Sequence, residues 1–356
     1  MAQKELKWYD ILSILFGIIL GFADPITDIL TLVEFYRANH KTWFGVGLCF
    51  ITLPSLFFSF INFVFKKEEF KSWCDCWTTC IFSCNPFFPA FVKLRTLFVY
   101  LKNLWRGNKI EPTDMKENPL TVDELLDLSA FAVLAEAALE SAPQFIIQLY
   151  AMAVQQESVA IVQMVSLPVS FFSLAWASIV ADELSHINGR CICVKDKVLL
   201  FVTHLFVLSS RLFAVALFTV SYKWWVTGVL IFHCTVRMIC DFIWICGKEE
   251  FTVVLILACF NFCFHWLRDD WSLLYFQYEE IREKQLRILL LSNVLFVIEN
   301  ITMILLFYFS HFPHTWFSLP VTICVCVFAV VGAAMRLSHS YFLKKESDND
   351  VKTGKQ

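Results

Sequence analysis

The chain has 356 residues, 58% of them hydrophobic and only 17% charged, with a mean hydropathy of +0.62. Ordinary globular domains carry about a quarter charged residues, and no soluble core could hide this much apolar surface, which argues against a soluble catalytic domain. A formal net charge of −3 singles out no partner, and nucleic acid is not expected as one.

The apolar residues fall in runs of about 20, the length that crosses a hydrocarbon layer of about 30 Å at 1.5 Å per residue. In chain order, membrane spans are expected near residues 11–36, 43–65, 123–156, 159–181, 197–222, 224–246, 286–309 and 316–343. The first run continues past signal-peptide length without a small-residue cleavage site, so it reads as a retained span. Two further apolar stretches are interrupted: 81–105 by Pro86, Pro89, Lys93 and Arg95, and 251–276 by His265, Arg268, Asp269 and Asp270. Such stretches read as re-entrant or interfacial half-helices. The expected fold class is therefore all-α: a polytopic membrane protein of about eight transmembrane helices plus two inserted half-helices. The order of four spans with one interrupted helix, twice over, hints at a pseudo-repeat. Residues 1–343 are expected to form a single transmembrane domain and 344–356 a short cytoplasmic tail.

Basic residues test the orientation, because cytoplasmic flanks accumulate Lys and Arg. With both termini cytoplasmic, inner segments hold 24 of the 29 basic residues, outer loops hold Arg37, Lys41 and Lys223, and Arg211 and Arg237 lie within spans. Full crossing by either interrupted stretch would switch the sides of later loops and weaken this asymmetry.

Charges inside spans cost from about 3 kcal/mol upward, so they face protein or water and pair with something. The first span carries Asp24 and Asp28, and the third carries Glu136 and Glu140, each pair four residues apart on one helix face. Four carboxyls from two helices could line one polar seam. Arg211, with no acid within one turn, is the candidate counter-ion for them. Arg237 has His233 one turn before and Asp241 one turn on, which offers it local pairing. Glu299 and Asn300 form another buried polar spot. A buried pair that only fixes helix packing is the alternative for all these acids. Pro143 follows Glu140-Ser141-Ala142 directly and is expected to kink the helix, with Gln144 and Gln148 adding amides on the kinked half. Pro25 loosens the first span at its own acidic site.

No enzyme signature appears: no phosphate-binding glycine loop, GxSxG elbow or HExxH, and no cofactor is expected. Cys74, Cys76, Cys80 and Cys84 match no metal-ligand spacing and have no histidine nearby, so no metal is expected either. With Trp73 and Trp77 they read as an interfacial element open to palmitoylation. Cys191 and Cys193 read as structural.

The opening acids Asp24-Pro-Ile-Thr-Asp28 through Arg37, then Leu53-Pro54-Ser55-Leu56, resemble the start of the XK-related proteins. The third span is the more specific match: Leu134-Ala-Glu136-Ala-Ala-Leu-Glu140-Ser-Ala-Pro143-Gln144-Phe-Ile-Ile-Gln148 is similar to that family's acid-rich, Pro-Gln signature. Ser173-Leu-Ala-Trp176, Ser210-Arg211-Leu and Glu299-Asn300 follow in the family's order. The resemblance implies eight transmembrane helices with two inserted half-helices in a pseudo-repeat. It also implies phospholipid scrambling in the plasma membrane, exposing phosphatidylserine in apoptosis. Positions Asp24, Asp28, Glu136, Glu140, Arg211 and Glu299 would then offer headgroups a polar path. Some relatives are activated by caspase cleavage of a terminal tail; here the nearest candidate is Asp350 in Ser-Asp-Asn-Asp, which lacks the acidic fourth residue that executioner caspases favour. Other relatives act as scaffolds for a lipid-transfer protein or a single-span accessory subunit, which is the alternative function.

Overall fold

The computed structural model describes residues 8–65, 86–105, 122–155, 159–185, 194–245, 266–267, 282–310 and 316–353. Among them every regular element is helical. In chain order these are α1 Trp8–Arg37, α2 Lys41–Phe65, α3 Phe88–Trp105, α4 Val122–Glu136, a π-helical turn Ala137–Ser141, α5 Ala142–Val154, α6 Ile161–Ser185, α7 Val194–Tyr222, α8 Trp225–Ile245, α9 Arg282–Phe309 and α10 Ser318–Thr353. Seven of the described stretches are long and apolar enough to cross a membrane: Ile11–Arg37, Lys41–Ser59, Ser129–Val154, Ile161–Asp182, Val194–Tyr222, Leu290–Phe309 and Ser318–His339. The described apolar part of α8, Trp225–Ile239, is shorter.

The distribution of side chains is that of a multi-pass membrane protein. Leucines, isoleucines and phenylalanines such as Ile19, Phe98, Phe232 and Leu291 are exposed, while Arg211 heads the largest fully buried side chains. In water this order would be costly; in lipid the apolar face meets its solvent and polar groups must find partners inside. Trp224, Trp225 and Trp316 are exposed just where helices begin or end, the place of an aromatic belt at the membrane surface.

The chain divides into two compact units, residues 1–148 with 156–184, and residues 149–155 with 185–356. Each half packs around its own buried polar cluster. In the first unit, Asp24 meets Ser141 and Asp28 meets Gln148, so α1 and α4–α5 ascend together. Helix α2 runs the other way, with Gly47 opposite Gln144 and Phe58 beside Phe131. Helix α2 therefore ends, and α4 begins, on the same side of this unit. The second unit repeats the pattern. Ser210 and Ser221 of α7 face Asn300 of α9 and Ser310 just past its end, so these helices are parallel, while His233 and Arg237 of α8 descend past Glu299 and Ser292.

Two local features mark the chain's last and third spans. Helix α10 continues unbroken to Thr353, so the tail beyond 343, including Asp350, extends a helix. In the third span Pro143 is accommodated by a π turn. Proline has no N–H for the carbonyl four residues back, and here the Ala142 N–H bonds the Ala137 carbonyl five residues back. Such single π turns occur frequently at functional sites.

A buried carboxyl seam and a second arginine cluster

Asp24 and Asp28 lie one turn apart on α1, and Glu136 and Glu140 flank the start of the π turn; all four are 0–3% exposed. Their helices bring them together, since Glu140 interacts electrostatically with Glu136, Asp28 and Asp24. Facing them is a ladder on α6. Ser170 donates to Asp24 Oδ1 at 2.5 Å, and Ser166 donates to Asp28 Oδ1 at 2.8 Å. Ser173 lies on the same face of α6 and acts on Asp24 as well. Ser141 donates to Asp24 Oδ2 at 2.6 Å, and Gln148 Nε2 donates to Asp28 Oδ1 at 2.9 Å. The spacing 166, 170, 173 keeps these hydroxyls on one face of α6, a signal present in the sequence but easily passed over, since serine in an apolar span is unremarkable.

Among the described residues of this unit the buried cation is Lys93 of α3, while Arg211, which the sequence offers as counter-ion, pairs with Glu299 of its own unit. Lys93 is buried, donates to the Gly17 carbonyl at 2.9 Å, and acts electrostatically on Glu136 and Asp24. Two glycines four residues apart permit this approach. A Cβ on Gly17 would lie 3.3 Å from Lys93 Nζ, and one on Gly21 would lie 3.3 Å from Ala90 Cβ. Small residues at this spacing let helix backbones close in. Phe22 packs against Phe87 and Phe91 and fixes the same contact. The polar lining runs from Gly17 to Asp28, about 16 Å along α1, or roughly half the hydrocarbon thickness.

Gly47 supports the other side. Gln144 Nε2 donates to its carbonyl at 2.6 Å, and a Cβ there would collide with Leu32 and crowd the Gln144 amide. Gly47→Ala is expected to destabilise the protein by about 1–3 kcal/mol through overpacking, seen as a lower thermal unfolding midpoint in detergent. An unchanged midpoint would show that α2 can shift away at no cost.

Arg211 organises a separate cluster in the second unit. It is 0% exposed, and its Nε donates to the Trp266 carbonyl at 2.8 Å. Its Nη1 reaches Asn300 Oδ1 at 3.0 Å and Glu299 Oε2 at 3.2 Å. The Phe296 ring lies 4.7 Å from its guanidinium carbon, within cation–π range. Glu299 Oε2 also meets His233 Nδ1 at 2.7 Å. His233 therefore serves Glu299, where the sequence offers it to Arg237; Arg237 donates to Ser292 Oγ at 2.8 Å, and the side chain of Asp241 lies outside the described residues. Arg336 donates to Asn293 at 3.1 Å. In each unit a buried cation bonds a backbone carbonyl of another segment: Lys93 of α3 that of Gly17 on α1, and Arg211 of α7 that of Trp266.

Among the described residues no group of three or more His, Cys, Asp or Glu side chains is arranged to hold a metal ion. Cys74, Cys76, Cys80, Cys84, Cys191 and Cys193 lie outside the described residues. The buried acids and the π turn coincide with a wider similarity along the chain, for the family model described as XK-related protein matches residues 12–344. With that match covering nearly its whole length, the chain belongs to the XK-related protein family.

Proposed function

We propose that this protein is an energy-independent phospholipid scramblase of the plasma membrane, with both termini cytoplasmic, and that it exposes phosphatidylserine in apoptosis. The observation that carries this reading is the four-carboxyl seam, which together with Lys93, the hydroxyls of Ser141, Ser166 and Ser170 and the Gln148 amide extends over about half the hydrocarbon thickness. A headgroup entering it exchanges water for fixed polar groups while its tails stay in lipid, which lowers the several kcal/mol that desolvation otherwise costs. No side chain here needs to make or break a covalent bond.

The seam is closed, with its acids 0–3% exposed, so transport requires a movement that opens it. The tail supplies a candidate trigger. Asp350 lies in the helical continuation of α10, and a protease that binds extended backbone must first unwind that turn. Purified protein in liposomes with fluorescent lipid tests the reading. Dithionite should quench well beyond the outer-leaflet fraction, and faster for protein truncated after Asp350. Quenching that stops at the outer leaflet for both, with the protein folded, would overturn it.

A second reading is favoured by the saturation of Asp24, whose two oxygens are both hydrogen-bonded. A carboxylate so well satisfied suits a fixed packing element, as in a scaffold that recruits a lipid-transfer protein or a single-span subunit. A stoichiometric co-purifying partner, with no lipid flux from the protein alone, would support it.

A further inference from the structure

Five buried side-chain oxygens of the first unit have no hydrogen-bond partner among the described residues: Asp28 Oδ2, Glu136 Oε1, Glu140 Oε1, Glu140 Oε2 and Gln148 Oε1. All belong to carboxyl or amide groups of the seam, and no described buried side-chain nitrogen or hydroxyl of that unit is in the same position. The imbalance is one-sided. Glu140 is its centre: it is 2% exposed, neither of its oxygens is bonded, and its electrostatic neighbours are three other acids. Lys93 does not relieve it, because the ammonium donates to the Gly17 carbonyl and acts on Asp24 and Glu136.

Such a site calls for a ligand with positive charge and several hydrogen-bond donors, since an unpaired buried acceptor has lost its bonds to water and gained none in return. Three kinds of cation can be weighed. A metal ion needs converging oxygens, and the described residues offer no such arrangement. A quaternary ammonium brings charge but no N–H, leaving the oxygens unpartnered. A primary ammonium brings one charge and three N–H donors, and charge-assisted bonds of this kind are the strong ones.

We propose that the seam of the first unit binds a primary-ammonium group, with Glu140 as its principal acceptor and Asp28, Glu136 and the Gln148 carbonyl oxygen completing the shell. This rests on the lipid-path reading for its most direct source, the headgroup of an ethanolamine or serine phospholipid; a free amine is the other source of the same chemistry.

The test is thermal unfolding of the full chain in detergent with lysolipids that differ only in the headgroup: ethanolamine, its mono- and dimethylated forms, choline and glycerol, with free ethanolamine in parallel. The ethanolamine lysolipid should stabilise at a concentration about 10-fold lower than the choline form, the worth of one charge-assisted hydrogen bond, with the methylated forms between. Glu140→Gln should erase that difference. The methylation series on the unaltered protein carries the test even if the variant folds poorly. Equal stabilisation by ethanolamine and choline lysolipids overturns the proposal. Stabilisation by free ethanolamine equal to that of its lysolipid keeps the primary-ammonium site and assigns it to a soluble amine. Because no lipid flux is measured, amine preference without scrambling defeats only the lipid path, and scrambling without amine preference defeats only this site.

Discussion

Arg211→Met is expected to lower stability by about 3–5 kcal/mol, the cost of removing one partner from a buried ion pair. The loss is large because one side chain serves three acceptors: the Trp266 carbonyl, Asn300 and Glu299. Methionine fills much of the volume, so the penalty comes from stranded polar groups rather than a cavity. Arg211→Lys should recover only part of it, because an ammonium is a point charge that cannot reproduce the guanidinium fork. The double change Arg211→Met with Glu299→Leu should be milder than Arg211→Met alone, since replacing a buried pair with apolar groups is often close to neutral. Unfolding midpoints of the three variants in one detergent check the order, and a double variant worse than the single would contradict the pairing described.

Lys93→Met should have an effect of similar size, about 3–5 kcal/mol, centred on the first unit. Lys93 is that unit's buried basic side chain among the described residues, and without it four carboxyls face one another. Its removal also frees the Gly17 carbonyl and loosens α3 from the Gly17–Gly21 face. Trp176, whose indole abuts Gly17, reports the change locally through its fluorescence. Adding Glu136→Gln, which removes an acid that acts on Lys93, should restore part of the loss. No restoration would mean that Lys93 is held by packing rather than by the acids.

What the sequence reveals and conceals follows from how far each interaction reaches. Asp24 with Asp28, and Glu136 with Glu140, are legible because an acid pair four residues apart in an apolar run has a local cost that demands explanation. Their partners are not, because Ser141, Ser166 and Ser170 come from other helices and a serine in a span raises no alarm by itself. Lys93 is visible only as an interruption of an apolar stretch; its role depends on Gly17 and Gly21, 76 and 72 positions away along the chain. Arg211 reads as a buried cation, but its pairing with Glu299 is not legible, since that acid is 88 residues distant along the chain. Pro143 announces an irregular helix, and the π turn is the form that irregularity takes.

Isosteric neutralisation separates buried acids that exist for transport from buried acids that exist for packing. Asp28 and Glu140 carry oxygens without partners, and like charge surrounds Glu140. The double substitution Asp28→Asn with Glu140→Gln should therefore leave the unfolding midpoint unchanged or higher. The same change removes charge that would guide a headgroup, so the initial rate of dithionite quenching in proteoliposomes should fall about 10-fold or more, the equivalent of at least about 1.4 kcal/mol on the barrier. A protein equally or more stable and much slower is the result expected if the seam is a lipid path. A variant that scrambles at the wild-type rate would contradict it and make the seam a packing element.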